Sequence, residues 1–403
     1  MNRERMTSIT EKYGDAFYTL ESKQFKKNYL ELSEAFRKIY PHFNIAYSYK
    51  TNYTPKLCRI VNELGGYAEV VSEMELEVAL RIGVQSGRII WNGPYKNAQE
   101  VERLLIAGGT VNIDSADEIA DIVEIVEKHP DIEIHLGIRC NFDIGDGVIS
   151  RFGFDVSSED FKKALGLFDR YQNLRLIGLQ CHFATRRLET WSTRVSEMLA
   201  LIDELGLKPQ KIDLGGGLYG KMADSLKAQF DAYIPTYAEY AKVVATAFAE
   251  HYKHCDQKPE LIIEPGSALV GDCMKFAAKV VSIKNVRGKD IATVLGSVYN
   301  INPTLNQKNP PIEIIPMGNR QKVYQDLDFG GYTCIESDYL YRHFNGKLAV
   351  GDFAVFENVG SYSVVLKPPF VLPNFPVIDL SENTVELVKR EESFDDIFRT
   401  FAF

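Results

Sequence analysis

The chain has 403 residues, of which 45% are hydrophobic and 25% are charged, a balance typical of a folded globular protein rather than a disordered one. The 46 basic and 55 acidic residues give a net charge of −9, which argues against binding to nucleic acid through phosphate neutralisation. No segment resembles a membrane span or a secretory signal, so we expect a cytoplasmic protein with neither a membrane nor a nucleic-acid partner.

Eight short apolar or β-branched runs follow one another in the chain, and we interpret each as a buried strand. They are Asn44–Tyr49, Tyr67–Ser72, Ile89–Gly93, Val111–Ser115, Ile134–Cys140, Leu176–Phe183, Lys211–Gly217 and Leu261–Gly266. Helical patterns at Pro55–Leu64, Glu73–Ile82 and Ala98–Ala107 separate the first four runs. This alternation predicts a (β/α)8 (TIM) barrel, with a doubly wound open sheet as the alternative. We favour the barrel because chemically active residues recur at the strands' carboxyl ends, which a barrel gathers at one mouth.

The sequence pattern changes after Gly266, where long helical patterns stop and strand-like runs take over. These runs are Phe276–Ile283, Ile291–Leu295, Ile312–Pro316, Lys322–Phe329 and Ala354–Val359. We therefore predict an α/β plus β architecture, with the barrel over residues 26–266 and a carboxyl-terminal, mostly β domain over residues 267–403. A further strand at Ala16–Leu20 leads us to expect that residues 1–25 pack with the β domain.

The cysteines do not indicate a metal site, because a structural zinc ion needs closely spaced ligands. None of the six cysteines forms a CxxC pair; they are Cys58, Cys140, Cys181, Cys255, Cys273 and Cys334. We therefore expect free thiols in a reducing compartment and no bound metal.

Two features at strand ends suggest a phosphorylated carbonyl cofactor. Lys50 ends the first predicted strand in AYSYKTN, where partial burial would lower its pKa and make it a Schiff-base nucleophile; the alternative is an ordinary solvated lysine. Gly215, Gly216 and Gly217 follow KIDL in the seventh strand, where backbone N–H groups could close around an anion; the alternative is a tight turn.

Three more polar side chains end neighbouring strands. Glu264 in LIIEPG could keep a pyridine nitrogen protonated, or it could form an ion pair within the barrel. His182 in LQCHFAT could stack on a planar cofactor, or it could be a core histidine. Arg139 could reach an anion, brace Glu264 or form a structural ion pair. Pyridoxal 5'-phosphate (PLP) needs a lysine, a stacking group, a phosphate site and a ring-nitrogen partner, so their coincidence favours PLP.

With these motifs in order, the chain resembles the fold-type III PLP-dependent decarboxylases, the family of diaminopimelate and ornithine decarboxylases. The resemblance covers nearly the whole chain and rests on AYSYKTN, AEVVSEMEL, IRCN, SRFGF, CHFAT, IDLGGG, EPG, CIESD and NVGSY. It implies cofactor contacts from Lys50, Glu69, Arg139, His182, Thr185, Gly215, Gly216, Gly217, Glu264, Gly266, Ser267 and Tyr362. It also implies a homodimer with the active site at the subunit interface, which Cys334 of the partner subunit reaches.

The departures from the family pattern concern charged groups. Ser267 stands where the family has an arginine near the phosphate, and Arg186 or Arg187 could compensate. In diaminopimelate decarboxylases an arginine and a tyrosine occupy the places of Asn302 and Asn306, and a glutamate directly follows the cysteine that corresponds to Cys334. The aspartates of ornithine decarboxylases are also missing, with Leu295 and Ile335 in their places. The substrate-side residues that we predict are Arg187, Asn302, Glu336 and Asp338.

The resemblance therefore implies a PLP-dependent amino-acid decarboxylase in which Lys50, Glu264, His182 and Cys334 are catalytic. Lys50 holds the cofactor, Glu264 keeps its ring protonated, His182 stacks on it, and Cys334 returns a proton to Cα. The replaced charges predict a substrate other than free diaminopimelate or ornithine, such as a modified or carrier-linked amino acid. The alternatives are a PLP-dependent racemase or epimerase, a non-catalytic regulator on the same fold, and a barrel enzyme without PLP.

Overall fold

The computed structural model describes residues 1–306, 308–382 and 384–402. Strands β1 to β18 occupy, in chain order, Ala16–Leu20, Phe43–Ser48, Tyr67–Val70, Ile89–Trp91, Thr110–Ile113, Ile134–Asn141, Phe154–Asp155, Leu174–Gln180, Lys211–Asp213, Glu260–Ile263, Met274–Val286, Lys289–Val294, Ile312–Ile315, Lys322–Gly330, Tyr339–Leu348, Phe353–Phe356, Val377–Asp379 and Glu386–Lys389.

The helices alternate with the early strands and become short after residue 252. Helices α1 to α13 occupy Arg3–Tyr13, Ser22–Arg37, Pro55–Glu63, Glu73–Arg81, Ala98–Ile106, Glu118–Lys128, Glu159–Arg170, Leu188–Glu204, Asp224–Lys227, Tyr237–His251, Ser267–Val270, Val298–Ile301 and Phe394–Phe398. Within the described ranges, no helix is both long enough and apolar enough to cross a bilayer.

One compact unit, made of Lys26–Tyr219 and Ala232–Ala268, is a closed parallel barrel. Its strands follow the order β2, β3, β4, β5, β6, β8, β9 and β10, and β10 pairs with β2 to close the ring. The two-residue strand β7 lies beside β6. The structure therefore confirms the predicted (β/α)8 barrel, and each of the eight predicted runs overlaps one of its strands.

Local sequence explains why these elements form where they do. Strand β2 is buried at all six positions, as expected for a parallel strand covered on both faces. Helix α4 begins after Ser72, whose hydroxyl accepts the Glu75 N–H, and α5 begins after Asn97, whose side chain caps the first turn. Each helix leads the chain back to the end of the barrel where the next strand begins. All eight strands therefore run in the same direction, and their carboxyl ends form one mouth.

The second unit comprises Met1–Phe25, Gly220–Asp231 and the chain from Leu269 onward. Its sheet has the order β15, β14, β12, β11, β1, β17 and β18, with β16 pairing to both β11 and β13. Strand β1 lies centrally, antiparallel to β11 and parallel to β17, so the predicted strand at Ala16–Leu20 forms. Gly220–Asp231 belongs to this unit, whereas the predicted domain bounds placed it in the barrel.

Candidate active site

Lys50 lies at the barrel mouth, directly after strand β2. A single 3-10 turn over Tyr49–Thr51 carries it, and its side chain is one-third exposed. Its Nζ donates to Oε2 of Glu69 over 2.7 Å, and the Ser48 hydroxyl donates to the same oxygen over 2.5 Å. Glu69 is itself fully buried at the end of β3. The carboxylate therefore fixes the lysine amine at the mouth while leaving the side chain accessible.

A network of amide side chains joins Glu69 to Glu264. Asn92 donates through Nδ2 to Oε1 of Glu69 over 3.2 Å and to Oε1 of Glu264 over 2.6 Å. Asn112 donates to Oδ1 of Asn92 over 2.7 Å, and Gln180 donates to Glu264 over 3.2 Å. The network holds two buried carboxylates in one layer while amide hydrogens face both of them.

The three amides were not identified from the sequence. An isolated Asn or Gln carries no charge and no motif, and it is ordinary in a strand. A weak signal was available, because Asn92, Asn112 and Gln180 lie in the predicted strand runs IIWNG, VNIDS and LQCHF. A polar amide inside a buried strand needs hydrogen-bond partners, and a barrel interior can supply them.

His182 is a neutral ring at the mouth. Its Nδ1 accepts a hydrogen bond from the Gly216 N–H over 2.9 Å and lies 3.6 Å from Oε2 of Glu264. A ring nitrogen that accepts a proton donor cannot donate at the same time, so the shorter contact places the ring hydrogen on Nε2. Burial lowers the pKa of His182, which also favours the neutral form. A flat uncharged ring, about a quarter exposed, suits stacking on a planar cofactor.

Asp213 and Glu264 form a buried pair that divides proton and charge between them. Burial and the nearby Glu264 raise the pKa of Asp213 well above its usual range. Burial opposes ionisation of Glu264 too, but the nearby cations of Lys50 and Arg139 favour its charged form, and its pKa is lowered. Asp213 therefore carries the proton and Glu264 the negative charge, so the pair offers a charged carboxylate of the kind that a protonated pyridine nitrogen requires.

The glycine loop after β9 has room for backbone but none for side chains. Gly215 and Gly217 adopt φ values of +70° and +89°. A Cβ on Gly216 would lie 2.6 Å from the Glu264 carbonyl oxygen, and one on Gly217 would lie 2.6 Å from the carbonyl oxygen of Phe183. Gly266 packs equally closely on Thr51, beside Lys50. Glycine is therefore required at each position, as in a backbone cradle for an anion.

Two other residues predicted to bind the cofactor have protein partners. Arg139 forms a buried ion pair with Asp114 over 3.0 Å, so the structural alternative is realised for this side chain. The Thr185 hydroxyl donates to Asp146 in the loop after β6. Arg187 is exposed at the start of α8, and Ser267 begins α11. Their roles toward the cofactor and substrate stay predictions.

The remaining predicted residues lie in the second unit. Cys334 is a free, exposed thiol, and Glu336 is exposed close to it. Asp338 is buried, and its carboxylate accepts hydrogen bonds from Ser297 over 3.0 Å, from the Val298 N–H over 2.7 Å and from the Thr333 hydroxyl over 2.6 Å. Asp338 thus fixes the turn that presents Cys334, and its contact with substrate stays a prediction.

Tyr362 and Asn302 complete the predicted set. Tyr362 adopts a φ of +64°, a backbone conformation that a tyrosine rarely takes. The amide of Asn302 donates to the backbone carbonyl and to the side chain of Asn306. Two neutral side chains therefore bond to each other in this segment, and the role of Asn302 toward the substrate stays a prediction.

The buried donor set fits PLP. The site offers an amine at the mouth, a neutral ring, a charged carboxylate and a glycine cradle. Two buried oxygens, Oδ2 of Asp213 and Oε1 of Gln180, have no hydrogen-bond partner in the part of the chain that the structure describes. Six other buried side-chain atoms in the described ranges also lack a partner, so these two oxygens show only that the network at the site can take further hydrogen bonds.

Comparisons with known proteins agree with this assignment. The family model for the pyridoxal binding domain of pyridoxal-dependent decarboxylases matches residues 26–271. Diaminopimelate decarboxylase from Methanocaldococcus jannaschii is 26% identical, with 96% of this chain and 91% of that protein covered. The Pseudomonas fluorescens enzyme of the same name is 24% identical, with 90% and 86% covered.

A solved structure gives the same result for the fold. The crystal structure of the M. jannaschii diaminopimelate decarboxylase superposes with a TM-score of 0.87 at 25% identity, with 98% of this chain and 94% of that one covered. The family match covers more than half of the chain and includes the whole barrel. The chain therefore belongs to the pyridoxal-dependent decarboxylase family, as its motifs indicated, and it is a PLP-dependent amino-acid decarboxylase.

Proposed function

We propose that the enzyme removes one Cα carboxylate from a diamino acid, with diaminopimelate as the first candidate. The relatives described above carry that activity in their names, and they align over at least 86% of their own length. The sequence predicted a substrate other than free diaminopimelate, and the comparisons do not support that prediction. The observation that carries the proposed chemistry is the charged Glu264, held by Asn92 and Gln180 in the barrel that also presents Lys50.

The residues that would hold the cofactor have distinct tasks. Lys50 would supply the attaching amine, Gly215–Gly217 and Tyr362 would bind the phosphate, and His182 would cover one face of the ring. When bound, PLP supplies a ring that accepts the electron pair left at Cα as carbon dioxide departs. Glu264 would make the bound ring a strong acceptor, because its negative charge would stabilise a proton on the ring nitrogen. A strong acceptor favours decarboxylation over racemisation.

The protonated Asp213 supports Glu264 rather than competing with it. Two adjacent buried carboxylates cannot both ionise at low cost. Because Asp213 keeps the proton, Glu264 can remain charged without a second negative group beside it. Asn92 and Gln180 then fix the orientation of the charged carboxylate toward the mouth.

We propose that the final proton comes from Cys334 of the partner subunit in a homodimer. Cys334 is exposed in its own chain, and its turn is fixed by Asp338, so a rigid thiol is presented at the surface. A thiol can donate one proton to Cα and be restored from water. On the barrel unit, the exposed side chains of Val148 and Ile149 add an apolar surface of the kind that a partner could cover.

A modified or carrier-linked amino acid remains the second candidate substrate. Asn302 and Asn306 bond to each other and offer no charge. A free carboxylate and ammonium group at the far end of the substrate would therefore find no opposite charge at these two positions. A capped or tethered side chain would not need an opposite charge at these two positions.

The test is product analysis with the purified holoenzyme. We would incubate it with diaminopimelate, ornithine, lysine and a carrier-tethered amino acid, and measure carbon dioxide and the product amine. Release of carbon dioxide with an equal amount of lysine from diaminopimelate would establish the first candidate, and release from the tethered substrate alone would establish the second. Loss of optical activity without carbon dioxide would contradict the decarboxylase. Lys50→Ala is the control and must abolish every reaction.

A further inference from the structure

Arg194 is a fully buried arginine beneath the glycine loop, and sequence reasoning did not single it out. It lies in α8 and donates through Nη1 to the carbonyl oxygens of Leu214 and Gly216 over 2.8 and 2.7 Å. Through Nη2 it donates to the carbonyl oxygens of Phe183 and Thr185 over 3.0 and 3.4 Å. One guanidinium therefore ties the loop after β9 to the loop after β8.

This contact orients the backbone of both loops. In a trans peptide the N–H points opposite to the C=O of the same unit. The carbonyls of Phe183, Thr185 and Gly216 face Arg194, so the N–H groups of the next residues, 184, 186 and 217, face away from it. None of these three N–H groups donates a hydrogen bond within the described ranges. They are free to bind an anion on the far side of the loops.

The charge of Arg194 is not neutralised by an ion pair. Within the described ranges its hydrogen bonds go to carbonyl oxygens rather than to carboxylates, and the guanidinium stacks on Trp191 with 4.0 Å to the ring centroid. Burial lowers the pKa of Arg194 to about 10, so it stays charged at neutral pH. A buried, unpaired charge is costly unless another group stabilises it.

The same helix makes a second contact to the loop. Nε1 of Trp191 donates to the carbonyl oxygen of Gly217 over 2.9 Å. Side chains of helix α8 thus donate hydrogen bonds to the carbonyl oxygens of Leu214, Gly216 and Gly217. Meanwhile Ser267 leaves the expected phosphate site without the arginine that the family pattern places there.

We propose that Arg194 is the positioning residue of the phosphate site. It holds the two loops so that their N–H groups face the phosphate. From the carbonyl side of the loops, it also supplies a positive charge in place of the arginine that Ser267 replaces. A bound dianion would in turn stabilise the buried guanidinium. The inference rests on PLP as the cofactor and not on the substrate, so a failure of diaminopimelate as substrate leaves it standing.

The test compares two ligands that differ only in the phosphate. Cofactor-free enzyme is prepared as wild type, Arg194→Met and Arg194→Lys, and each is titrated with PLP and with unphosphorylated pyridoxal by absorbance. We expect Arg194→Met to weaken PLP binding by roughly 10- to 100-fold, the value of a hydrogen bond to a charged group, and to leave pyridoxal binding within about threefold. Arg194→Lys keeps the charge and is expected to lie between.

The matched control is Arg88→Met, which also removes an arginine that donates to a loop carbonyl, that of Gly65, at the opposite end of the barrel. It is expected to change neither affinity. An equal loss for both ligands in Arg194→Met would show a merely structural role and overturn the proposal, as would an unchanged PLP affinity. If Arg194→Met does not fold, Arg194→Lys decides: a selective loss for PLP supports the proposal, and equal affinities for wild type and variant overturn it.

Discussion

Asn92 sets the distance and charge balance between the two carboxylates at the mouth. Its single amide nitrogen serves Glu69 and Glu264 together, while Asn112 satisfies its oxygen. The amide thereby separates two negative groups that would otherwise repel each other in a low-dielectric interior. A neutral residue thus supplies a hydrogen bond to each of the two acids.

Replacement of Asn92 by aspartate tests this role. Asn92→Asp keeps the shape, removes both donors and places a third acid in the layer, so we expect kcat/KM to fall roughly 10- to 100-fold together with a lower Tm. Asn97→Asp is the control, because residue 97 caps a helix on the surface where an acid is favourable. Wild-type kcat/KM in Asn92→Asp would contradict the role of the network.

Glu75 makes stability depend on pH. It is buried and accepts the Val71 N–H over 2.8 Å, and burial together with the charge of Glu69 raises its pKa to about 7. An acid with a raised pKa in the folded state binds its proton more tightly there than in the unfolded chain. Its contribution is therefore complete below the unfolded pKa, near 4.5, and is lost as the pH rises through about 7.

We expect Glu75→Gln to match wild type at pH 5 and to be more stable at pH 8, by on the order of 2 kcal/mol. The glutamine oxygen can still accept the Val71 N–H, so the contact is kept while the charge is removed. Thermal unfolding at the two pH values measures the difference. A difference between variant and wild type that is the same at both pH values would refute the assignment.

For single residues, the sequence predicted those that belong to motifs at strand ends, and it missed the amides of the network and the buried Arg194. Lys50, Glu69, His182 and Glu264 meet in one network, because each ends a strand that the sequence pattern locates. Asn92, Gln180 and Arg194 could not be assigned in advance, because their roles depend on which strand or loop lies opposite. An arginine within a helix, such as Arg194, is ordinarily expected on the solvent face.

Among the elements, the loop after β9 shows most clearly how backbone shape fixes chemistry. Gly217 has a φ of +89°, and an added Cβ would clash with the carbonyl oxygen of Phe183. Substitution therefore has two costs, a strained backbone and a displaced loop. Only the second cost bears on the phosphate site.

A pair of glycine variants separates these two costs. Gly217→Ala is expected to lower PLP affinity at least tenfold, whereas Gly108→Ala, with a φ of +82° and open space around its Cβ, lowers stability alone. Fluorescence titration with PLP and thermal unfolding report the two effects separately. Equal PLP affinities in the two variants would argue against a cradle at Gly217.

Element prediction located the barrel strands and also six strands of the second unit, β1, β11, β12, β13, β14 and β16, but it missed others such as β15. The barrel strands are largely apolar, and seven of the eight predicted runs extend one to four residues beyond their strands into the loops at the mouth, whereas Ile134–Cys140 ends one residue short of β6. Strand β15 was missed because Arg342, His343, Asn345 and Lys347 interrupt its apolar positions. Helix α1 was missed because a charged amino terminus with few apolar residues suggests no packed helix, although Met6 and Ile9 are buried in the core of the β unit.

For the whole molecule we retain as a proposal the division into residues 1–25, 26–266 and 267–403. The location of Gly220–Asp231 in the β unit modifies this division, because the segment follows the glycine loop and then leaves the barrel. Segments that cross between units cannot be found from local patterns, since nothing in their own sequence records where the chain returns.

The dimer proposal predicts complementation between inactive chains. Mixing Lys50→Ala with Cys334→Ala places an intact lysine and an intact cysteine in one of the two sites of each mixed dimer. Random assortment then restores about a quarter of wild-type activity, because half of the dimers are mixed and each has one complete site. Recovery of no activity, or a monomer in sedimentation, would contradict a site shared between subunits.

The most direct test of the account is to locate the cofactor on the chain. The holoenzyme is reduced with borohydride, digested, and its peptides are mapped by mass spectrometry. We predict a single pyridoxyl-phosphate label on Lys50. Label on Lys96, a buried lysine that the structure pairs with Glu118, or labels scattered over surface lysines, would contradict the central claim that the Lys50–Glu69 pair forms the reactive centre of this barrel.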